Sequence, residues 1–159
     1  MHDYLVEEIR HLKSLPMEAK ERTAKMLANI ASKQDERGES SNAAALIKAG
    51  AINPLVQMLS GGTDGGQIAA ATALGHMCVG SSSRQASLAG AGATSALITL
   101  LRTGSNKAQM QAAFALAALS EGLSDKGEGL SHVAPFLKGG VIPPLVRLLR
   151  QGIDDAKMH

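Results

Sequence analysis

The sequence has almost no aromatic residues: its 159 residues include two phenylalanines, one tyrosine and no tryptophan. Nevertheless, 45% of the residues are hydrophobic, and alanine and leucine make up most of this apolar content. A further 17 residues are glycine. This composition favours closely packed short helices over a β-sandwich, which is usually rich in valine, tyrosine and threonine. The scarcity of aromatic residues thus nearly excludes an all-β fold, and the length is typical of one domain.

Cysteine, charge and long apolar runs are also scarce. With Cys78 as the single cysteine, no intrachain disulfide can form, so a secreted disulfide scaffold is excluded. The formal net charge of +2 indicates neither a disordered polyelectrolyte nor a nucleic-acid binder. No apolar run reaches the roughly 18 residues of a membrane span, and the N-terminus lacks the pattern of a signal peptide. We therefore expect an intracellular protein of the cytoplasm or nucleus that binds no nucleic acid and does not insert into membranes.

Two motifs recur along the chain in step with one another. The first places a glycine before an apolar helix, at Gly50, Gly92 and Gly140, which are 42 and 48 residues apart. The second is an alanine-rich run at Ala70–Leu74 and Ala112–Leu116, again 42 residues apart, with a weaker copy at Ala24–Ile30. Two independent motifs that share one period indicate a repeat architecture.

Each repeat is predicted to contain a short helix, a glycine corner, a longer helix, a loop and a second long, alanine-rich helix. After Gly50 we expect Asn53 to cap a helix whose first turn holds Pro54. The helices after the corners should end at glycines, namely Gly61–Gly62, Gly104 and Gly152. One such unit cannot bury its apolar faces alone, whereas stacked units can, so the pattern predicts an α-solenoid.

These motifs resemble the armadillo repeat. Its second helix commonly opens with a glycine, a small or apolar residue and prolines before Leu-Val, and its third commonly reads Ala-Ala-Trp-Ala-Leu-x-Asn-Leu. The resemblance covers nearly the whole chain and implies an all-α, right-handed α-solenoid of three-helix repeats, with a HEAT array as the nearest alternative. We expect a single domain over residues 1–159, with a partial repeat 1–31, repeats 41–78 and 83–120, and a partial repeat 130–152.

The resemblance also implies a binding surface. In peptide-binding armadillo proteins the third helices line a concave face, where a tryptophan packs on the peptide's side-chain stems and an asparagine hydrogen-bonds its backbone. The tryptophan positions hold Lys25, Thr72 and Phe114 here, and the asparagine positions hold Asn29, His76 and Ala118. We expect this face to bind an extended or helical segment of another protein. Because only Phe114 supplies a ring for cation–π stacking, recognition of basic peptides is not expected; a purely core-filling role for Phe114 is the alternative.

The two ends of the chain look like incomplete repeats. A stacked array needs polar caps, yet the last helix, Val141 to Arg150, is strongly apolar through Leu145, Val146, Leu148 and Leu149. We expect either that the chain is a piece of a longer protein or that a partner or second copy covers its ends. The second functional hypothesis is therefore a scaffold unit that forms homo-oligomers through these residues.

Chemistry-bearing motifs are weak. Gly90–Ala96 loosely resembles a dinucleotide loop but follows a predicted helix rather than a strand. The histidines have no metal-ligand spacing, and Cys78 has no identifiable base. We therefore predict no catalysis, no cofactor and no metal, and an enzyme with a pocket between repeats is the least favoured alternative. The absence of Asp and Glu between Gly65 and Ser120 predicts a mild attraction for acidic segments.

Overall fold

The computed structural model describes residues 14–33, 41–120 and 140–157, together with positions 7, 9 and 11. Every regular element in these ranges is an α-helix, which confirms the prediction of an all-α fold. The helices are α1 (Met17–Ser32), α2 (Ser41–Lys48), α3 (Ile52–Gly61), α4 (Asp64–Cys78), α5 (Ser82–Gly90), α6 (Ala93–Thr103), α7 (Asn106–Ser120) and α8 (Ile142–Lys157).

The helices are arranged as repeated triplets. α2, α3 and α4 form one repeat and α5, α6 and α7 the next, each with a short first helix and a 15-residue third helix. α1 corresponds to a third helix before them, and α8 to a second helix after them. The residues before Gly140, where the repeat pattern predicts a short first helix, lie outside the described part of the chain.

The glycine shared by all repeats makes the corner between the first and second helix. Gly50, Gly92 and Gly140 have φ angles of 83°, 82° and 66°, in the left-handed region. Residues with a side chain are strained in this conformation, whereas glycine adopts it freely. The first sequence motif therefore records a backbone requirement of every repeat.

Two expectations about helix ends are wrong. α3 begins at Ile52 with Ala51 before it, so Asn53 lies inside the helix and does not cap it. The left-handed turn at Gly50 has already redirected the chain, and the Ala51 carbonyl accepts the first helical hydrogen bond, from the Leu55 amide at 3.2 Å. Gly152 lies within α8 and does not end it. A single glycine in a helix interior lowers helix stability by only about 1 kcal/mol relative to alanine, so the helix can continue through it.

The third helices lie side by side and form the centre of the solenoid. α4 packs between α1 and α7, while α3 contacts both α4 and α6. The residues Leu27, Leu74 and Leu116 occupy the same repeat position, and all three are buried. Ala70, Ala71 and Ala112 are fully buried as well. As the composition predicts, alanine at these positions lets neighbouring helices approach closely.

At the junction between the two complete repeats, an arginine side chain of α5 binds the C-terminal end of α4. The Arg84 guanidinium donates from Nε to the Met77 carbonyl at 2.8 Å and from Nη2 to the Val79 carbonyl at 2.7 Å. Carbonyls at a helix C-terminus lack partners within the helix and carry a partial negative charge. Arg84 is thus engaged with the end of α4 and is not a free cation for an acidic partner.

The described residues contain no group of three or more His, Cys, Asp or Glu side chains that could hold a metal ion.

In the same ranges, no single helix is long and apolar enough to cross a membrane. Only Asn42–Lys48 and Ile52–Gly61 taken together meet that criterion, and they are bent by 85°. Cys78 is buried, with Sγ 3.1 Å from the Gly75 carbonyl oxygen.

Candidate functional site

The predicted binding residues lie on α1, α4 and α7, whose outward side chains form what we call the third-helix face. Its members are Glu21, Lys25, Asn29, Ile68, Thr72, His76, Met110, Phe114 and Ala117. Among the predicted residues, Lys25 and Asn29 are exposed, Thr72 and His76 are half-buried, and Phe114 is 37% exposed. Five of the six predicted residues therefore have exposed or half-buried side chains on these three helices.

Ala118 is the exception, because its side chain is only 3% exposed. Its carbonyl oxygen accepts a hydrogen bond from Gln85 Nε2 of α5 at 2.8 Å, and Gln85 is itself buried. Ala117, the preceding residue, is the exposed one. Ala118 thus belongs to the contact between the first and third helices of its repeat rather than to the third-helix face.

Phe114 lies on a surface that a glycine creates. A Cβ atom at Gly75 of α4 would lie 2.6 Å from Cε1 of the Phe114 ring and 3.3 Å from the Ala115 Cα. The ring of His76 stands beside it, with centroids 5.2 Å apart and planes tilted by 57°, a separation within the range of interacting aromatic pairs. We call Gly75, His76 and Phe114 the aromatic platform, which spans the junction between α4 and α7.

Two further contacts border the aromatic platform. The Thr72 hydroxyl lies 2.8 Å from the Ile68 carbonyl oxygen and 3.0 Å from Oε1 of Gln111 on α7. Met110, one turn before Phe114, is 60% exposed. Methionine and phenylalanine side by side give an adaptable apolar surface, since the thioether side chain is flexible and polarizable.

The other junction, between α1 and α4, is polar. Glu21 accepts hydrogen bonds from Lys25 Nζ at 2.6 Å and from the Thr63 hydroxyl at 2.5 Å, and the Thr63 oxygen caps α4 by accepting from the Gly66 amide at 3.0 Å. We call Glu21, Lys25 and Thr63 the polar clamp. A Cβ at Gly65 would collide with the Glu21 carboxylate, so glycine leaves room for this carboxylate at the start of α4.

Each junction lowers the pKa of one side chain. The hydrogen bonds from Lys25 and then from Thr63 hold the pKa of the Glu21 carboxyl below its ordinary value. A carboxylate near a helix N-terminus is also favoured by the helix dipole. In the aromatic platform, burial lowers the pKa of the His76 imidazole, because the charged form loses hydration.

Sequence reasoning missed Gly75 and the partners of Glu21. A signal for Gly75 was present, because a glycine inside a long helical pattern is costly and indicates a close approach by a neighbour. No comparable signal marked the hydrogen bond between Glu21 and Thr63, which are 42 residues apart.

The residues predicted for self-association divide between two sides of α8. Leu145 and Leu148 are partly buried and pack against the core. Val146 is 42% exposed, and the side chain of Leu149 lies outside the described part of the structure. Ile142, which is not among the residues predicted for self-association, is 62% exposed.

Comparisons with known proteins bear on this architecture. The family model described as Armadillo/beta-catenin-like repeat matches residues 40–79, which contain α2, α3 and α4. The chain has the fold of an armadillo-repeat solenoid. The crystal structure of an engineered protein superposes on it with a TM-score of 0.75 and 30% identity, over 91% of this chain and 55% of that protein. Curated proteins gave no match.

Two designed armadillo repeat proteins are also similar to the chain. A computationally designed one, made for modular peptide recognition, has a TM-score of 0.73 and 26% identity over 91% of this chain and 56% of its own. A designed armadillo repeat protein in complex with the peptide (KR)4 has a TM-score of 0.63 and 24% identity, over 92% of this chain and 74% of its own. The chain thus spans little more than half the length of the engineered protein and of the computationally designed one. The likeness to the peptide complex shows a shared fold.

Proposed function

We propose that this armadillo-repeat chain is a non-enzymatic module of the cytoplasm or nucleus that binds a segment of another protein along its third-helix face. The observation that supports this most is the aromatic platform, where Phe114 rests on Gly75 and still exposes 37% of its surface. A phenylalanine needed only to fill the core would be enclosed, because exposing a ring forfeits hydrophobic stabilisation. The platform suits a side chain of a partner rather than solvent.

The third-helix face favours an apolar partner segment. Met110 and Phe114 are both exposed on α7, and their flexible and aromatic surfaces together suit an aliphatic or aromatic side chain. His76 and Gln111 add polar atoms beside them that can hydrogen-bond a peptide backbone. We therefore propose that the partner inserts apolar side chains at the junction between α4 and α7.

A strongly basic peptide fits this face poorly. One designed armadillo neighbour was solved with the peptide (KR)4. The present chain has no Asp or Glu from residue 66 to residue 120, which includes nearly all of α4 and the whole of α7. Glu21 does lie on the third-helix face, but Lys25 and Thr63 already bind its carboxylate. Recognition of a lysine or arginine peptide would need free carboxylates to pair with it.

The proposal is tested by selecting binders from a random peptide library displayed on phage, with the full chain as the target. Dissociation constants of the selected peptides are then measured for Phe114→Ala, Met110→Ala and the wild type. We expect Phe114→Ala to weaken binding about tenfold or more, as for a buried anchor residue. The synthetic peptide (KR)4 should bind at least tenfold more weakly than the selected ones.

Ser95→Ala on α6 is the matched control, because Ser95 is exposed on a second helix, away from the third-helix face. Its affinity for the selected peptides should equal that of the wild type. The proposal fails if the selected peptides bind equally well to the Phe114 and Met110 variants, or if (KR)4 binds more tightly than they do.

A further inference from the structure

His76 is the titratable side chain of the aromatic platform. It is half-buried, and its ring contacts the Phe114 ring at a centroid distance of 5.2 Å. Within the described residues, the ring nitrogens of His76 make no hydrogen bond. One side of the imidazole therefore lies against an apolar ring and the other against solvent, so its protonation depends on whatever replaces that solvent.

A charged imidazole is stabilised by a negative group beside it, and the helices around His76 place their acids elsewhere. Glu18 and Glu21 lie in the first two turns of α1, and Asp64 lies in the first turn of α4. His76 lies in the last turn of α4, whereas Glu21 is bound at the start of that helix by Thr63. The other helices packed against α4, namely α2, α3, α5, α6 and α7, contain no Asp or Glu. The helices around α4 therefore offer His76 no carboxylate partner.

The other charged side chains on the helices around α4 are cations. Lys25 and Lys33 stand four residues to either side of Asn29, which holds the repeat position of His76 on α1. The remaining cations of these helices are Lys20, Arg22, Lys48, Arg102 and Lys107, together with Arg84 of α5. Arg84 binds two carbonyls at the end of α4. Because carbonyls at a helix C-terminus otherwise favour a protonated histidine, Arg84 removes much of that stabilisation.

We propose that a segment bound at the aromatic platform is released by mild acid, because its apolar side chain covers His76 and disfavours the protonated imidazole. This inference rests on the proposed function and assigns regulation to the same site. Burial already lowers the pKa of His76 in the free chain, and a bound apolar side chain removes more solvent and lowers that pKa further. Binding is therefore strongest above the pKa of the free chain and weakens as the pH falls through it, since the free chain takes up the proton first.

Isothermal titration calorimetry of the full chain from pH 8 to pH 5 tests this proposal. The probe is a library-selected peptide with blocked termini and without Asp, Glu or His, so that only the chain titrates. We expect the affinity of the wild type to fall about threefold to tenfold, whereas that of His76→Gln stays nearly constant. His11→Gln is the matched control, because the exposed His11 ring pairs with Glu7 before α1, and it should behave like the wild type. Far-UV circular dichroism at each pH checks that the chain is folded.

Proton NMR gives a second readout, in which the ring signal of His76 is assigned by its absence in His76→Gln. The pKa of His76 should be lower in the chain saturated with peptide than in the free chain. Glu121 is the first acid after Asp64 in the sequence and lies outside the described residues, so Glu121→Gln is included and should retain the pH dependence.

Three results would overturn the proposal. They are an equal or higher pKa of His76 in the complex, an affinity that is constant or rises as the pH falls, and the same pH dependence in His76→Gln as in the wild type. Failure of the proposed function is a different result, because it appears at pH 8 as equal binding to the Phe114 and Met110 variants.

Discussion

The two junctions between third helices use the same backbone arrangement for opposite chemistry. At the junction of α1 and α4 the contact is the polar clamp, in which Glu21 reaches the capped start of α4. At the junction of α4 and α7 the contact is the aromatic platform, in which Phe114 rests against Gly75. Because both junctions share α4, the difference comes from a few side chains and not from the fold.

Repeat positions show how this difference arises. Glu21, Ile68 and Met110 occupy one position of the repeat, counted along the alanine-rich motif. The start of α7 is capped like that of α4, since Ser105 Oγ accepts from the Ala108 amide at 3.3 Å. However, α4 carries the apolar Ile68 at the repeat position where α1 carries the carboxylate of Glu21. The polar clamp therefore uses its polar groups internally, whereas Phe114 of the aromatic platform and Met110 leave apolar surface exposed.

The largest expected effect is a loss of stability that damages both junctions together. Leu74 lies at the centre of α4 and is fully buried. Leu74→Ala should reduce the free energy of unfolding by about 3 kcal/mol, the usual cost of removing a buried leucine side chain and leaving a cavity. Urea denaturation measures it. If Leu74→Ala were as stable as wild type, the helices would not pack around this residue as described.

The next prediction separates the junctions through their glycines. Gly75→Ala would place a Cβ 2.6 Å from the Phe114 ring and 3.3 Å from the Ala115 backbone, so we expect a loss of about 1–2 kcal/mol. Gly65→Ala would meet only the carboxylate end of the long Glu21 side chain, which can move aside at the cost of weakening the polar clamp, and the gain in helix propensity, up to about 1 kcal/mol, should offset that cost. Urea denaturation should show that Gly75→Ala is less stable than the wild type, although alanine has the higher helix propensity. Gly65→Ala should be about as stable as the wild type. Equal effects would contradict the difference between the junctions.

Acid should affect the two junctions in different pH ranges. Burial lowers the pKa of His76, so the unfolded chain takes up the proton first, and stability falls as pH drops below about 6.5 through the folded pKa. The pKa of Glu21 is lowered by Lys25 and Thr63, so its contribution is lost only as pH drops below about 4.3 through its folded pKa.

Urea denaturation at a series of pH values checks this. His76→Gln should flatten the pH dependence in the upper range only, and Glu21→Gln in the lower range only. This is the smallest of the expected effects, because both groups are partly exposed to solvent. The assignment fails if either variant changes the slope in the other's range.

Most of the fold could be predicted from the sequence because its determinants are local. The left-handed conformation of Gly50 and the burial of Ala70 both follow from residue type and repeat position. The helix start at Ile52 differs from the prediction because the corner at Gly50, not Asn53, determines where the helix begins. The arrangement of the third-helix face could be predicted only in part. Phe114 follows from the repeat, but its support by Gly75 depends on how closely two distant helices approach, which periodicity does not determine.

Ala118 shows the same limit from the other side. Its position in the repeat suggested a place on the third-helix face, yet Gln85 binds its carbonyl and the side chain is buried. Repeat position gives the helical face of a residue, whereas the neighbours from other helices decide whether that face is open.

The most direct test of the account compares one library-selected peptide on two variants, Phe114→Ala in the aromatic platform and Lys25→Ala in the polar clamp. Both residues occupy the same position of the third helix, so the pair is matched by geometry. Isothermal titration calorimetry should show affinity reduced about tenfold or more by Phe114→Ala and nearly unchanged by Lys25→Ala. Reduced affinity for Lys25→Ala together with unchanged affinity for Phe114→Ala would contradict the account.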